Sequence, residues 1–173
     1  MKTGALPQQV DIRSLASRQT LIEGTLTLAD CPRLAQAGVL MEQPALARFQ
    51  LGRDDEGRFT VASSVQATLG LMCQRCLAPM QQQIETGSLM ACVWSDEEAA
   101  ALPTSYEPLV VGDVATLAEI VEEELLLAIP VSPLHQGHCL SKEQAEALSV
   151  QEDPVAGEVK DNPFAVLEQM KTQ

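Results

Sequence analysis

Over residues 58–71 apolar and polar positions alternate. Phe59, Val61, Val65, Ala67, Leu69 and Leu71 share one face, and Arg58, Thr60, Ser64, Gln66 and Thr68 share the other. A period of two sustained over that length predicts an antiparallel strand with one face against a core. Residues 45–51 predict its partner strand, and the intervening GRDDEG supplies the Asp and Gly residues of a hairpin turn. LIEGTLTL, at 21–28, is rich in Thr and aliphatic residues and predicts another strand. Residues 80–94 admit two readings: Leu77, Met80 and Ile84 fit a helix, but Thr86, Gly87, Cys92 and Val93 favour a returning strand, which we adopt. A brief strand is expected at 108–111.

The clearest helix lies at 117–129, opened by the capping box Thr116/Glu119 and closed by Pro130. At helical spacing Leu117, Ile120, Val121, Leu125, Leu127 and Ala128 form an apolar arc opposite Glu119, Glu122 and Glu123. Two residues break this pattern. Leu126 projects among the glutamates, and Glu124 projects from the apolar arc, where a carboxylate is costly unless it is paired, hydrogen-bonded or protonated. Glu124 is therefore expected to tie the helix to a backbone or an arginine. Shorter helices are signalled by Asp30 and Pro32 with Gly38 as a stop, and by Ser95 with Glu98 before Pro103. Residues 10–19 are ambiguous, with Asp11 able to cap a short helix carrying Ile12, Leu15 and Ala16. A polar linker at 149–162 precedes a terminal helix bearing Phe164, Leu167 and Met170. Together these elements predict an α+β domain over residues 1–148. Its antiparallel sheet, open or barrel-like, is covered by one main helix with short accessory helices, and 149–173 form a flexible linker and docking tail.

A chain of 173 residues suits one such domain. Residues 1–16 lack the features of a secretory signal, and the strongly apolar run at 125–129 is too short to span a bilayer, so a cytoplasmic protein without membrane contact is expected. The net charge of −13 is uneven: residues 1–76 hold 8 Lys/Arg against 7 Asp/Glu, and residues 77–173 hold 3 against 17. Because nucleic-acid binders draw much of their affinity from phosphate neutralisation, RNA contact is expected from the front half or through another protein. The acidic back half favours a basic protein partner. Phe49, Phe59, Trp94, Tyr106 and Phe164 are too few and too dispersed along the sequence to suggest a base-stacking platform.

The sharpest chemical motif is Cys73-Gln74-Arg75-Cys76. Thiolates three positions apart can both face one Zn²⁺ at about 2.3 Å, which makes the pair half of a zinc site. The other half is sought among His135, His138 and Cys139, of which His135 and Cys139 have the four-residue offset of a ligand pair. Five cysteines can equally be small buried hydrophobes. A redox dithiol would need the pair at a helix N-terminus, which the preceding pattern does not provide. Acidic clusters such as Asp96-Glu97-Glu98 are more often solvated than metal-binding, and the chain has neither a Gly-rich phosphate loop nor a nucleophile elbow.

MCQRCLAPM, EEAAALPTSYEPLVV, IVEEELLLAIPVSPLH with its following HC, and NPFAVLEQMK, taken in this order, resemble the YceD family of large ribosomal RNA subunit accumulation proteins. The matching positions are Cys73, Arg75, Cys76, Glu122, Glu124, Pro130, Pro133, His135 and Cys139. The resemblance implies a non-enzymatic cytoplasmic factor supporting synthesis, processing or stability of 23S rRNA. It would reach that RNA or its precursor directly or through a basic ribosomal protein. The alternative is a thiol- or zinc-dependent redox protein using Cys73 and Cys76. On the first reading Arg48, Arg58 and Arg75, on or near the hairpin, are the expected RNA contacts, and Glu122, Glu123 and Leu126 the expected partner surface.

Overall fold

The computed structural model describes residues 4–112 and 114–148. Its elements are α1 (Ile12–Ser17), β1 (Leu21–Leu26), a 3₁₀ turn (Leu28–Asp30), α2 (Pro32–Gln36), β2 (Ala45–Arg53), β3 (Phe59–Met72), β4 (Pro79–Thr86), β5 (Leu89–Val93), α3 (Asp96–Ala100), β6 (Glu107–Val110), α4 (Leu117–Ala128) and α5 (Lys142–Leu148). The expected linker at 149–162 and the helix after it lie outside the described residues.

The class is α+β, as the alternating and helical periods predict. One six-stranded sheet runs β1-β2-β3-β5-β6, with β4 also pairing β3. It is open rather than barrel-like, and it is mixed: β1 to β5 pair antiparallel, but β6 runs parallel to β5. β3 is the spine. Its Val61, Val65 and Leu69 are fully buried alongside Phe49 and Leu51 of β2. The strand expected at 80–94 is interrupted. β4 follows β3 from Met72 back to Val65, Gly87 and Ser88 break the ladder, and β5 resumes opposite Ala62. Asp54 builds the β2–β3 turn by accepting the backbone N–H groups of Glu56 (3.0 Å) and Arg58 (2.9 Å), and Gly57 takes the left-handed φ of +83°.

α4 packs on β3 and β4 through the fully buried Leu117, Val121 and Leu125. Pro130 follows its end as expected, but Thr116 makes no side-chain cap. The rotation also differs from the simple wheel. Glu122 is buried, Leu126 packs partly against the core, and Leu127 is 81% exposed. Glu122 explains this. Cys31 leaves α2 without a side-chain cap, and the Glu122 carboxylate serves instead, accepting from Arg33 N (2.5 Å), Leu34 N (3.1 Å) and Arg33 Nε (2.8 Å). Asp30, expected to cap α2, turns back to accept from the N–H and hydroxyl of Thr27, each at 2.8 Å. Glu124 meets hydroxyls where β4 gives way to β5: Ser63 and Thr86 donate at 3.2 Å each, and Ser88 donates as well. It ties the helix to the sheet as expected, through hydroxyls rather than a backbone group or an arginine.

Two compact units divide at Cys139/Leu140. In the second, α5 opens on a reciprocal capping box, Gln144 N donating to Ser141 Oγ (3.1 Å) and Ser141 N to Gln144 Oε1 (3.0 Å).

Candidate metal centre

The long hairpin arm ends in a knuckle. Cys73 N donates to Ala78 O (3.0 Å) and Leu77 N to Cys73 O (2.9 Å), a tight closure that holds Leu77 at φ +57° although it is not glycine. The closure turns the Cys73 and Cys76 side chains toward the segment after α4. That segment is docked by Gln74 N donating to Pro133 O (2.8 Å).

Sγ of Cys73, Sγ of Cys76, a ring nitrogen of His135 and Sγ of Cys139 all lie within 4.8 Å of one another. Cys73 and Cys139 sulfurs are 3.8 Å apart, and Cys76 Sγ is 3.3 Å from His135 Nδ1. Tetrahedral zinc with Zn–S bonds of about 2.3 Å places two sulfurs roughly 3.8 Å apart, so the donor set fits a metal of this kind. Burial raises the Cys73 thiol, but N–H groups of Cys76, His135 and Arg75 and the Cys76 side chain bring it down to about 5. Cys76 moves the other way. The Ala78 N–H favours its thiolate, yet burial and the neighbouring Cys139 and Cys73 raise it above its ordinary value. His135, not His138, is the histidine in the cluster. Cys31 and Cys92 behave as core residues: burial, with Glu122 and Asp30 beside Cys31, lifts each to about 11.

The expected RNA contacts lie apart. Arg48 is 63% exposed and pairs with Glu23 on β1 at 2.5 Å. Arg58 pairs with Asp54 (2.7 Å) and Glu56 and lies over the Tyr106 ring. Arg75 turns into the Cys/His cluster, its Nε 3.0 Å from Cys139 Sγ. Of the expected partner surface, Glu122 is only 3% exposed and Leu126 is half-buried, leaving Glu123 and the neighbouring Glu119 exposed. The fold also gathers aromatics that the sequence disperses. Phe59 and Trp94 meet edge to face at 5.9 Å, and Arg53 and Arg13 each lie 4.1 Å over one of these rings. The chain's own guanidinium groups thus cover one face of each of these two rings.

The CxxC pair closes a β-knuckle between β3 and β4 rather than opening a helix, so the helix N-terminal setting expected of the redox alternative is not found at Cys73 and Cys76. Fold and site together define a small α+β protein whose sheet and post-helix loop share a four-residue Cys/His cluster supplied entirely by one chain.

The chain belongs to the YceD family: the family model described as large ribosomal RNA subunit accumulation protein YceD matches residues 61–171, both halves of the cluster included. The protein of that name from Haemophilus influenzae is 31% identical over 174 residues, covering 99% of each chain. No solved structure matches. Among the described residues, no helix is long and apolar enough to cross a membrane.

Proposed function

We propose that the chain is a non-enzymatic cytoplasmic factor supporting synthesis, processing or stability of 23S rRNA in large-subunit assembly, and that Cys73, Cys76, His135 and Cys139 hold a structural Zn²⁺. Family membership carries the ribosomal part of this reading, and the gathering of the four side chains within 4.8 Å supports the metal. Four protein ligands would complete a tetrahedral shell and leave no position for a substrate, the mark of a structural rather than a catalytic zinc. The metal would staple the β3–β4 knuckle to the loop after α4 and contribute folding energy. Arg48 and Arg58 remain the RNA-facing candidates, and Glu123 with Glu119 the surface for a basic ribosomal protein.

Protein purified without chelator is expected to carry one zinc per chain, and Cys73→Ser to lose both the metal and a large part of its thermal stability. Metal-free protein with an unchanged Tm would reduce the four residues to packing. In cells, depletion should lower 23S rRNA relative to 16S, with wild type restoring the ratio. An unaltered ratio would refute the ribosomal role.

A further inference from the structure

We infer that Arg75 is the positioning residue of the metal centre, orienting Cys139 and the loop at 135–137 and balancing the charge of the thiolate ligands. The role rests on the metal reading given above. One guanidinium reaches three groups of the segment after α4. Its Nε donates to Cys139 Sγ at 3.0 Å, and its Nη2 donates to the His135 carbonyl at 2.9 Å and to the Gly137 carbonyl. Residues 133–139 have no regular secondary structure, so no backbone ladder holds His135 and Cys139 in place. The Gln74–Pro133 bond and the donation of His135 N to Cys73 Sγ (3.5 Å) join this segment to the knuckle at its start, and Arg75 adds three bonds that extend along it to Cys139.

Charge gives a second reason. Three thiolates and a neutral imidazole around a divalent ion leave one net negative charge, in a chain already at −13. A guanidinium donating to a ligand sulfur offsets that charge where it arises. Its planar fork also spans a sulfur and two carbonyls at once, which a lysine ammonium carries the charge for but not the geometry.

Co²⁺ serves as the probe. Wild type should take up one equivalent and show a thiolate-to-cobalt charge-transfer band. Arg75→Gln should surrender cobalt to a competing chelator about 10–100-fold faster, as loss of an outer hydrogen bond to a ligand typically does. Its band should move to lower energy, because a sulfur relieved of an N–H bond is the stronger electron donor. Arg75→Lys should fall between the two, and it carries the comparison should Arg75→Gln fail to fold by far-UV circular dichroism. Release at the wild-type rate with an unmoved band in both variants overturns the role of Arg75 while leaving the metal reading intact. Wild type that takes up no cobalt overturns the metal reading and this role with it.

Discussion

Glu122 shows how one residue can be misplaced by a helical wheel and still be explained by elementary chemistry. By spacing it belongs with Glu119 and Glu123 in solvent, yet it is 3% exposed. The partner that makes burial tolerable, the open N-terminus of α2 with Arg33, lies 89 positions away in sequence and no local pattern announces it. Burial pushes its carboxyl up, but the Arg33 side chain and the N–H groups of Leu34 and Arg33 outweigh this and hold it below the ordinary value of 4.5. A group whose pKa is depressed on folding stabilises above its unfolded value and loses that contribution as pH falls through and below it. Glu122→Gln should therefore cost about 1–3 kcal/mol at pH 7. The deficit should shrink on acidification below about pH 4.5, the range where the unfolded carboxyl takes up its proton. Urea unfolding of both proteins at pH 7 and pH 3.5 measures the difference; an equal gap at both would mean that the carboxylate charge contributes nothing. The Cys/His cluster is more legible, because the spacing within each half is local: Cys73/Cys76 and His135/Cys139 can be paired from their offsets. Arg75 cannot, since two of its three partners are backbone carbonyls.

At the scale of elements, strands with one buried face declared themselves and their interruptions did not. Period two marks β2 and β3 because alternate side chains enter the core. The parallel pairing of β6 leaves no such trace, because strand direction is set by the connection through α3 rather than by which residues alternate. α5 is not among the expected helices, although Ser141 and Gln144 spell a capping box. The break between β4 and β5 is visible in sequence only as Gly87, and the structure supplies the reason for it. A Cβ at Gly87 would stand 2.3 Å from the Ser63 carbonyl oxygen and 3.2 Å from Ser64 Cα, both backbone atoms of the spine strand. Ser63 and Ser88 lock the same point, with Ser63 N donating to Ser88 O at 2.9 Å and Ser88 N to Ser63 Oγ at 3.0 Å. Gly87→Ala must push these strands apart and disturb the hydroxyls that hold Glu124, with an expected loss of about 2 kcal/mol or more. Gly52→Ala, where the nearest atom is Thr60 Oγ1 at 3.9 Å, should leave stability within about 0.5 kcal/mol. Thermal melts of the two variants side by side check the claim, and equal melts would show that the close approach at Gly87 relaxes freely.

At the scale of the whole molecule, the proposed role asks how an acidic protein would serve RNA. The front half holds 8 of the 11 Lys/Arg residues, but the fold gives most of these eight a partner within the chain. Arg33, Arg48 and Arg58 engage carboxylates, Arg13 and Arg53 cover aromatic rings, and Arg75 enters the Cys/His cluster. Each phosphate neutralised contributes about −0.9 to the slope of log K against log salt on duplex, and somewhat less on single strands. With Arg48 and Arg58 as the candidates for phosphate contact, and both already paired, the slope for naked large-subunit rRNA should be no steeper than about −2, and binding at physiological salt weak. Association with assembling subunits should then depend on a basic ribosomal protein meeting the exposed Glu119 and Glu123. Filter binding from 50 to 200 mM salt gives the slope, and Glu119→Lys with Glu123→Lys should abolish co-sedimentation with precursor particles while leaving binding to naked RNA no weaker. A slope near −6, or a charge-reversed protein that still co-sediments, would return the ribosomal contact to the chain's own arginines, because a slope that steep requires about seven of them to be free for phosphate.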